Sequence, residues 1–365
     1  MPNFPFQRAK PLGYALFENF PSAHANIIDA NAAQAADGMV WTDVAAIRNW
    51  SEPFAIANTG HAFCYVSHDD TWWTFGSSGG NPTVAKRFGG GGVWSSSTAP
   101  GAGVGLSVRS RAVAFNPILN VMVAAGLPGS SSNQKFRRYN AVTGAWTISN
   151  SSQTNTNAVT ALAATPSLGA VQFVAAHFGS GVVETSADGT TWTQRTVPNA
   201  QDRSSIAIGP AGVVITSTTS TNKVLHSIDG INWFERTMPS ATNWWNVVYV
   251  PLLGKFVAIA DAIGSVATSV DGVNWVTQPR TLPNSIGSLD AFTEAMAVSF
   301  GRTIIIQASN GFFNFILYSQ DAGATWKYAA SYPWSNPQGG LATNGYQTIY
   351  SYTGVGIVSS IAGGY

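Results

Sequence analysis

The chain has 365 residues, of which only 10% are charged, and its formal net charge is +1. The basic residues are scattered, so the concentrated positive patch that a nucleic acid requires is missing. A single cysteine, Cys64, excludes an internal disulfide and a thiolate metal site, and no apolar run reaches the roughly 18 residues of a membrane span. The many glycines and prolines favour short strands joined by tight turns, which predicts an all-β protein.

The first 34 residues contain no copy of any repeat. They lack the apolar core that a secretory signal peptide needs after its first basic residues, so we expect no signal peptide. We predict that residues 1–34 form an extended N-terminal arm that either docks on another protein or packs on the rest of its own chain. Its apolar anchors are Phe4, Phe6, Leu12, Tyr14, Phe17 and Phe20.

From residue 35 onward one short pattern recurs, and we call it the SxDG turn. Clear copies are residues 186–192 (SADGTTW), 227–233 (SIDGINW), 269–275 (SVDGVNW) and 319–326 (SQDAGATW). Weaker copies are residues 35–41 (AADGMVW) and 67–73 (SHDDTWW), and a degenerate copy ends at Trp146. The intervals from Trp192 to Trp233 and from Trp233 to Trp275 are 41 and 42 residues, the length of four short strands with their turns.

Each aspartate of the SxDG turn has a local structural reason to be present. A short carboxylate accepts hydrogen bonds from the amides of its own turn, glycine supplies a positive φ, and the tryptophan buries its ring between neighbouring sheets. We therefore interpret six aspartates as turn-forming rather than catalytic residues or metal ligands: Asp37, Asp69, Asp188, Asp229, Asp271 and Asp321.

The SxDG turn resembles the Asp-box, or BNR, repeat of sialidases, sortilin-type receptors, photosystem assembly factors and many viral propellers. The resemblance covers residues 35–365 and implies a single β-propeller domain. Counting blades by Trp41, Trp73, Trp146, Trp192, Trp233, Trp275 and Trp326 predicts seven four-stranded blades, with six or eight as alternatives. We interpret the glycine-rich stretch near residues 75–106 as an insertion within one repeat, the alternative being an eroded extra repeat around Trp94.

The two ends of the chain are expected to complete one blade together. Residues 340–344, 347–352 and 354–361 are three strand-like runs with no SxDG turn after them. Residues 37–42 provide an SxDG turn followed by an unmatched outer strand. Sharing a blade between the termini would leave no open sheet edge at the junction.

In this architecture the SxDG turns and the first hairpin turns share one face. The opposite face consists of the connections between blades and the loops between second and third strands, and we expect ligands there. Three connections place an indole beside amide groups, as recognition of a sugar ring requires. The predicted ligand-binding residues are Arg48, Asn49, Trp50, Asn243, Trp244, Trp245, Trp334 and Asn336; alternatively, these tryptophans fill gaps between blades.

Catalysis is not expected. The resemblance to sialidases would require three arginines from different blades, and Arg48, Arg203 and Arg280 do fall in connections, but no arginine motif precedes the first SxDG turn. The plausible acid/base pair is Asp290 with Glu294, or either of them with Asp202. The five histidines show no metal-ligand spacing, so we expect no metal and no cofactor.

These observations favour a non-enzymatic binding or structural propeller. The charge-poor surface is typical of extracellular proteins although no export signal is visible, and a bacteriophage virion protein reconciles the two because virions leave the cell by lysis. The short SxDGxxW repeats resemble those of phage tail proteins, which implies a tail or fibre location. The expected partners are cell-surface glycans or other virion proteins, within an oligomer or larger assembly. A sialidase-like glycoside hydrolase and an intracellular protein-binding scaffold are the alternatives.

Overall fold

A computed structural model describes 16 stretches of the chain and, within them, 28 β-strands and a 3₁₀ turn at Pro251–Leu253. The N-terminal arm predicted for residues 1–34 lies outside the described residues. No helix in the described part is long and apolar enough to cross a membrane. The described stretches are residues 39–41, 62–78, 81–88, 95–97, 106–128, 133–154, 157–179, 181–219, 221–260, 265–283, 297–300, 302–309, 313–333, 341–343, 347–352 and 357–363.

The strands form seven antiparallel groups of four, which we call blades. Blade 7 contains the first described strand, β1 (Met39–Trp41). The other strands of the N-terminal half are, in blade 1, β2 (Ala62–Val66), β3 (Thr71–Ser78), β4 (Asn81–Phe88) and β5 (Ser95–Ser97); in blade 2, β6 (Leu106–Asn116), β7 (Val121–Pro128), β8 (Phe136–Asn140) and β9 (Ala145–Ser149); and in blade 3, β10 (Val159–Leu168), β11 (Val171–His177), β12 (Val183–Ser186) and β13 (Thr193–Arg195).

The C-terminal half supplies three complete blades and most of blade 7. Its strands are, in blade 4, β14 (Arg203–Gly209), β15 (Gly212–Ser217), β16 (Thr221–Ser227) and β17 (Phe234–Thr242); in blade 5, β18 (Asn246–Val250), β19 (Lys255–Ile259), β20 (Val266–Ser269) and β21 (Val276–Gln278); in blade 6, β22 (Ala297–Phe300), β23 (Thr303–Ser309), β24 (Phe313–Ser319) and β25 (Lys327–Pro333); and in blade 7, β26 (Leu341–Thr343), β27 (Gln347–Tyr352) and β28 (Ile357–Gly363).

The blades are arranged in a closed ring. The first strand of each blade contacts the first strand of the next, in the order β2, β6, β10, β14, β18, β22, β26 and back to β2. Blades 2 and 3 are also joined by a parallel bridge between Arg111 of β6 and Ala161 of β10. The first strands therefore line the centre of the ring, and the fourth strands form its outer rim.

Blade 7 closes the ring with strands from both ends of the chain. Its order is β1, β28, β27, β26, and β1 pairs antiparallel with β28 so that Met39 faces Gly363 and Trp41 faces Ile361. The prediction of a blade shared between the termini is confirmed. Because β1 completes the sheet, β28 does not remain an open edge.

The burial of each strand follows its place in the blade. All six residues of β15 are buried, because this central strand is covered on both faces by the neighbouring blades. The outer strand β13 has two exposed residues and one half-buried residue. Central strands are consequently rich in valine, isoleucine and alanine, whereas outer strands carry polar side chains on the rim.

The tryptophan of each clear SxDG turn is buried against the preceding blade. Trp192 stacks on Phe136 of blade 2, with ring centroids 3.8 Å apart and an interplanar angle of 6°. Trp233 packs in a cluster with blade 3, Trp275 in a cluster with blade 4 and Trp326 in a cluster with blade 5. Burial of so large an apolar surface at each junction makes these rings a main source of cohesion between blades.

The structure of blade 1 differs from two of the predictions. Residues 67–70 join β2 to β3, so the turn of Asp69 is a first hairpin turn, and Trp73 lies in the second strand instead of marking a third-to-fourth turn. The glycine-rich insertion predicted near residues 75–106 instead contains the end of β3, the whole of β4 and the whole of β5. Trp94, itself outside the described residues, immediately precedes β5 in the sequence, which is where blades 3 to 6 carry their SxDG tryptophan.

Cys64 lies in β2 and is buried in the apolar cluster that joins blades 1, 2 and 3. Burial raises the pKa of its thiol to about 12, so the thiolate does not form at neutral pH. The side chain acts as a small apolar group, as the surrounding AFCYV sequence suggests.

Candidate functional site

The SxDG turns connect third and fourth strands, and together with the first hairpin turns they form what we call the turn face. In blade 4, Asp229 Oδ1 accepts hydrogen bonds from the amides of Ile231 and Asn232, both at 2.8 Å, and from Ser227 Oγ at 3.0 Å. Asn232 Nδ2 donates to Asp229 Oδ2 at 2.8 Å. The carboxylate is therefore fully engaged within its own turn.

Bonds from the turn serine and from turn amides recur at Asp188 and Asp271, which each accept two amides, and at Asp321, which accepts the amide of Thr325. The asparagine side-chain bond to Oδ2 recurs at Asp271. Although partial burial would raise the pKa of the Asp271 carboxyl, hydrogen bonds from the Asn274 and Val273 amides outweigh that effect and hold the pKa well below its usual range. The pKa is likewise lowered at Asp188, Asp229 and Asp321. These carboxylates remain ionised acceptors, and they are unsuited to act as general acids near neutral pH.

The glycine of the turn is required by both conformation and space. Gly230 has a φ of +72°, and a Cβ at this position would lie 3.0 Å from Val171 Cγ1 of blade 3. In blade 2, where the aspartate is missing, Asn140 occupies the serine position and its Oδ1 accepts hydrogen bonds from the amides of Val142 and Thr143. The turn of the degenerate copy is therefore stabilised by a different side chain.

We expect Asp229→Ala and Asp271→Ala to lower the free energy of unfolding by about 1 to 3 kcal/mol each, because turn amides lose their acceptor. Urea denaturation measures the loss. The matched control is Ile228→Ala in the same turn, whose side chain is 70% exposed and makes little contact. Ligand binding should be retained in both aspartate variants; a variant that lost binding at unchanged stability would place the functional surface on the turn face.

The opposite face, which we call the open face, contains a buried polar cluster between blades 2 and 3. Glu184 of β12 has no exposed surface, and its Oε2 lies 2.7 Å from His177 Nε2. Ser151 Oγ donates to Oε2 at 2.7 Å, and the amide and hydroxyl of Ser152 both donate to Oε1 at 2.6 Å. One carboxylate thus fastens the connection that follows blade 2 to two strands of blade 3.

The hydrogen bonds of this cluster stabilise the ionised form of Glu184. Burial acts to raise the pKa of the Glu184 carboxyl, but hydrogen bonds from His177, Ser152 and Ser151 outweigh it, so the pKa lies below its usual range. Lys135 is also fully buried, and its pKa is lowered by burial although the charge of Glu184 opposes the shift. Since Glu184 and His177 are both sealed from solvent, this cluster fits a structural role better than acid/base chemistry on a ligand.

Sequence reasoning missed this cluster, although a signal was present. Glu184 stands in the apolar run VVETS of a charge-poor chain, and an acidic residue in such a strand must find partners when it is buried. The partners could not be inferred, because Ser151 is 33 residues away in sequence.

Arg203 does not fit the role that a sialidase-like site would require. It is the first residue of β14, has no exposed surface, and its Nη2 donates to the carbonyl of Asn199 at 2.9 Å. Burial lowers its pKa to about 10, with the charges of Glu235 and Asp202 opposing the shift. The carboxylate of Asp202 accepts the amide of Gly179 at 2.7 Å.

The loop between β11 and β12 is packed against the connection that follows blade 3. Gly181 has a φ of +64°, and a Cβ there would lie 2.4 Å from the Cα of Ala200. Close backbone approach therefore makes glycine necessary in this loop. Of the other groups considered for catalysis, Arg280 follows β21 and is half-buried, whereas Asp290 and Glu294 lie outside the described residues.

The prediction that Trp244 binds a ligand is not supported, because the structure buries this residue. Its side chain is only 1% exposed, its Nε1 donates to the carbonyl of Ser240 at 3.2 Å, and it packs in the apolar cluster between blades 4 and 5. An indole buried in this way cannot stack on a sugar. Asn243 and Trp245 are half-buried in the same connection. The remaining predicted residues, Arg48, Asn49, Trp50, Trp334 and Asn336, lie outside the described residues.

No protein-family model matches the chain, and no curated protein matches it. Solved structures do. Virginiamycin B lyase from Staphylococcus aureus is 10% identical with a TM-score of 0.61, over 84% of this chain and 96% of the lyase. YCF48 from Cyanidioschyzon merolae is 12% identical with a TM-score of 0.55, over 84% of this chain and 97% of YCF48. The β-propeller domain of Cps50 (Swd1) from Myceliophteria thermophila is 8% identical with a TM-score of 0.57, over 84% of this chain and 97% of the Cps50 domain.

The chain is a β-propeller. At these identities the likeness establishes the fold alone, and it agrees with the closed ring of four-stranded blades. The propellers named above include a lyase as well as proteins that are not described as enzymes, so the fold leaves the activity open. In this propeller the described turn-face carboxylates are engaged in their own turns, which leaves the connections and loops of the open face as the candidate binding surface.

Proposed function

We propose that this chain is a non-enzymatic binding propeller whose open face binds carbohydrate. The observation that carries the proposal is the placement of Asn243 and Trp245, both half-buried in a connection on the open face. A partly exposed indole offers a flat apolar surface to the C–H groups of a sugar, and a neighbouring amide pairs with its hydroxyls. The sequence repeats this composition around Trp50 and Trp334.

The SxDG turn resembles the Asp-box repeat, and we propose that the chain belongs among such propellers on bacteriophage virions, as a tail or fibre component. Its support is the short SxDGxxW repeat and the low fraction of charged residues, 10% of the chain. In this proposal the protein becomes extracellular at lysis and contacts cell-surface glycans or neighbouring virion proteins. Mass spectrometry of purified particles from the source phage tests the location, and a complete absence of the chain from particles would refute it.

We expect an oligomeric preparation of the protein to bind glycans on an array, and Trp245→Ala to weaken that binding at least fivefold with little change in melting temperature. A single site of this kind has a dissociation constant in the millimolar to micromolar range, about 4 to 8 kcal/mol, so several copies must act together. The neighbouring Trp244→Ala is the matched control, because loss of a buried indole should lower the melting temperature.

Trp50→Ala and Trp334→Ala extend the same test to the other two connections. Retained glycan binding in Trp245→Ala, Trp50→Ala and Trp334→Ala would contradict the carbohydrate proposal. If all three variants lost glycan binding and also had a clearly lower melting temperature, the alternative that these rings fill gaps between blades would be favoured.

Simple measurements distinguish a glycan-binding propeller from two alternatives, a protein-binding scaffold and a glycoside hydrolase. YCF48 has been solved bound to D1 peptide, which supports a protein-binding scaffold as the alternative for a propeller of this shape. A scaffold would bind a partner protein and no glycan. A glycoside hydrolase would release a fluorophore from fluorogenic glycosides, and the activity would be lost in a double Asp290→Ala and Glu294→Ala variant.

A further inference from the structure

The loop between β11 and β12 carries an exposed phenylalanine on the open face. Phe178 is 44% exposed. Every other large hydrophobic side chain that is exposed in the described part of the chain belongs to a turn of the turn face or to an outer strand. Because single exposed apolar residues are common on protein surfaces, the surroundings of this ring decide what it can do.

The backbone on both sides of the ring is fixed. The Phe178 amide donates to the Ala158 carbonyl at 3.0 Å, and the Gly179 amide donates to Asp202 Oδ1 at 2.7 Å. Gly181, in the same loop, packs against the connection after blade 3 too closely for a side chain. A ligand that contacts the ring therefore does not have to order the loop, which lowers the cost of binding.

The carboxylate beside this loop has one oxygen available. Asp202 is half-buried, and its Oδ1 accepts the Gly179 amide, whereas its Oδ2 has no hydrogen-bond partner in the described part of the chain. Asn157 borders the same loop, with its Oδ1 3.2 Å from the position that a Cβ on Gly179 would occupy. A carboxylate oxygen accepts hydrogen bonds from hydroxyls, and an amide both donates and accepts, so these groups suit a hydroxylated ligand.

The accessible charge beside Phe178 is negative. Arg203, the residue after Asp202, has no exposed surface, and its Nη2 donates to a backbone carbonyl of its own connection at 2.9 Å. Lys223 and Glu235, on the two outermost strands of blade 4, form an ion pair in which their charges cancel. A carboxylate without an accessible cation repels acidic sugars such as sialic and uronic acids. The charge beside the ring therefore favours neutral sugars.

Hydrogen bonds join this loop to the connection that carries Trp245. Ser204, two residues after Asp202, donates its hydroxyl to the Trp244 carbonyl at 3.0 Å. Phe178, Asp202 and Trp245 consequently lie on consecutive segments of the open face, namely the loop of blade 3, the connection after blade 3 and the connection after blade 4. Since one aromatic ring stacks on one sugar unit, a ligand that uses both rings contains at least two units.

We propose that Phe178 and Asp202 form a second sugar subsite beside Trp245, so that the open face binds a neutral oligosaccharide of at least two units. The Phe178 ring stacks on the C–H face of one sugar, and Asp202 Oδ2 accepts hydrogen bonds from the hydroxyls of that sugar. This subsite rests on the proposed carbohydrate function and extends it by defining the length and the charge of the ligand.

A glycan array tests the proposal with an oligomeric preparation of the full chain. The array carries neutral oligosaccharides, single neutral sugars, and oligosaccharides that contain sialic or uronic acids. We expect binding to the neutral oligosaccharides, with single sugars weaker and acidic oligosaccharides about tenfold weaker. Phe178→Ala should weaken binding of the neutral oligosaccharides about fivefold at unchanged melting temperature, whereas Phe178→Tyr keeps the aromatic ring and should retain binding.

Asp202→Asn keeps an oxygen for the Gly179 amide but removes the negative charge. It should weaken binding of neutral oligosaccharides about threefold and reduce the discrimination against acidic ones. Phe234→Ala is the matched control, because Phe234 is 50% exposed but stands at the turn-face end of the outer strand β17. This control should leave glycan binding unchanged.

The outcomes separate this subsite from the proposed function. Loss of glycan binding in Trp245→Ala with full binding in Phe178→Ala would overturn the subsite alone, and so would a preference of the wild type for acidic glycans or unchanged discrimination in Asp202→Asn. Absence of glycan binding by the wild type would overturn the proposed function as well. If Phe178→Ala lowers the melting temperature, Phe178→Leu, which removes the aromatic ring but keeps an apolar side chain, replaces it with the same expected loss.

Discussion

Deletion of residues 1–45 is expected to destabilise the entire ring instead of removing a dispensable tail. The deletion removes β1, which pairs with β28 over Met39 to Trp41, and it leaves β28 as an unpaired edge on the outer rim of blade 7. Without β1, blade 7 is no longer continuous in the chain with blade 1, and the ring is held closed there by packing such as that of β26 on β2. We expect the free energy of unfolding to fall by about 5 kcal/mol or more, as measured by urea denaturation.

The control for this deletion ends earlier in the sequence. Removal of residues 1–34 leaves β1 and the SxDG turn that precedes it in the sequence, so the melting temperature should stay within a few degrees of that of the full chain. An unchanged melting temperature after deletion of residues 1–45 would contradict closure by β1, whatever the behaviour of the shorter deletion.

Glu184→Ala is expected to cost about 3 to 5 kcal/mol of folding free energy, although Glu184 touches no predicted ligand. The substitution removes the acceptor of both serines that fasten the connection after blade 2, and it leaves His177 and Lys135 buried without their anionic partner. Lys223→Gln is the control. Lys223 forms a partly exposed ion pair with Glu235, whose loss should cost at most about 1 kcal/mol. Similar losses of unfolding free energy in the two variants would show that the buried cluster does not stabilise the fold more than a surface ion pair does.

The contribution of Glu184 should also depend on pH. Its pKa is lower in the folded state than the ordinary value of 4.5, so the folded protein favours the ionised form. The resulting stability is fully present above that ordinary value and is lost as the pH falls through the lower folded pKa. The difference in unfolding free energy between the wild type and Glu184→Gln should therefore shrink as the pH is lowered below about 4. A difference that grew on acidification would contradict this assignment.

The repeat could be found from sequence because the SxDG turn is stabilised by neighbours in the chain. The hydrogen bonds of Asp229 all lie within five residues, and so do those of Asp271. The same locality caused the error in blade 1. Asp69 accepts a hydrogen bond from Thr71 Oγ1 at 2.6 Å and Asp70 has a φ of +51°, so a first hairpin turn imitates the composition of an SxDG turn.

The candidate site was less predictable because it depends on contacts between distant segments. Trp244 and Trp245 are adjacent and identical in type, yet Trp244 points into the junction of blades 4 and 5 and Trp245 is half-buried. Their composition carries no information about which one faces the ligand.

Closure by β1 has a consequence for synthesis of the protein on the ribosome. Met39 pairs with Gly363, so β1 waits for a partner that is made 324 residues later. Blades 1 to 6 consist of consecutive segments and can form in order as they emerge, whereas blade 7 is completed only when β28 has been translated. Until then the nascent chain exposes an unpaired strand at each end of an incomplete ring. A ribosome that stops before β28 therefore releases a chain with two open sheet edges, which are sites for pairing with other chains.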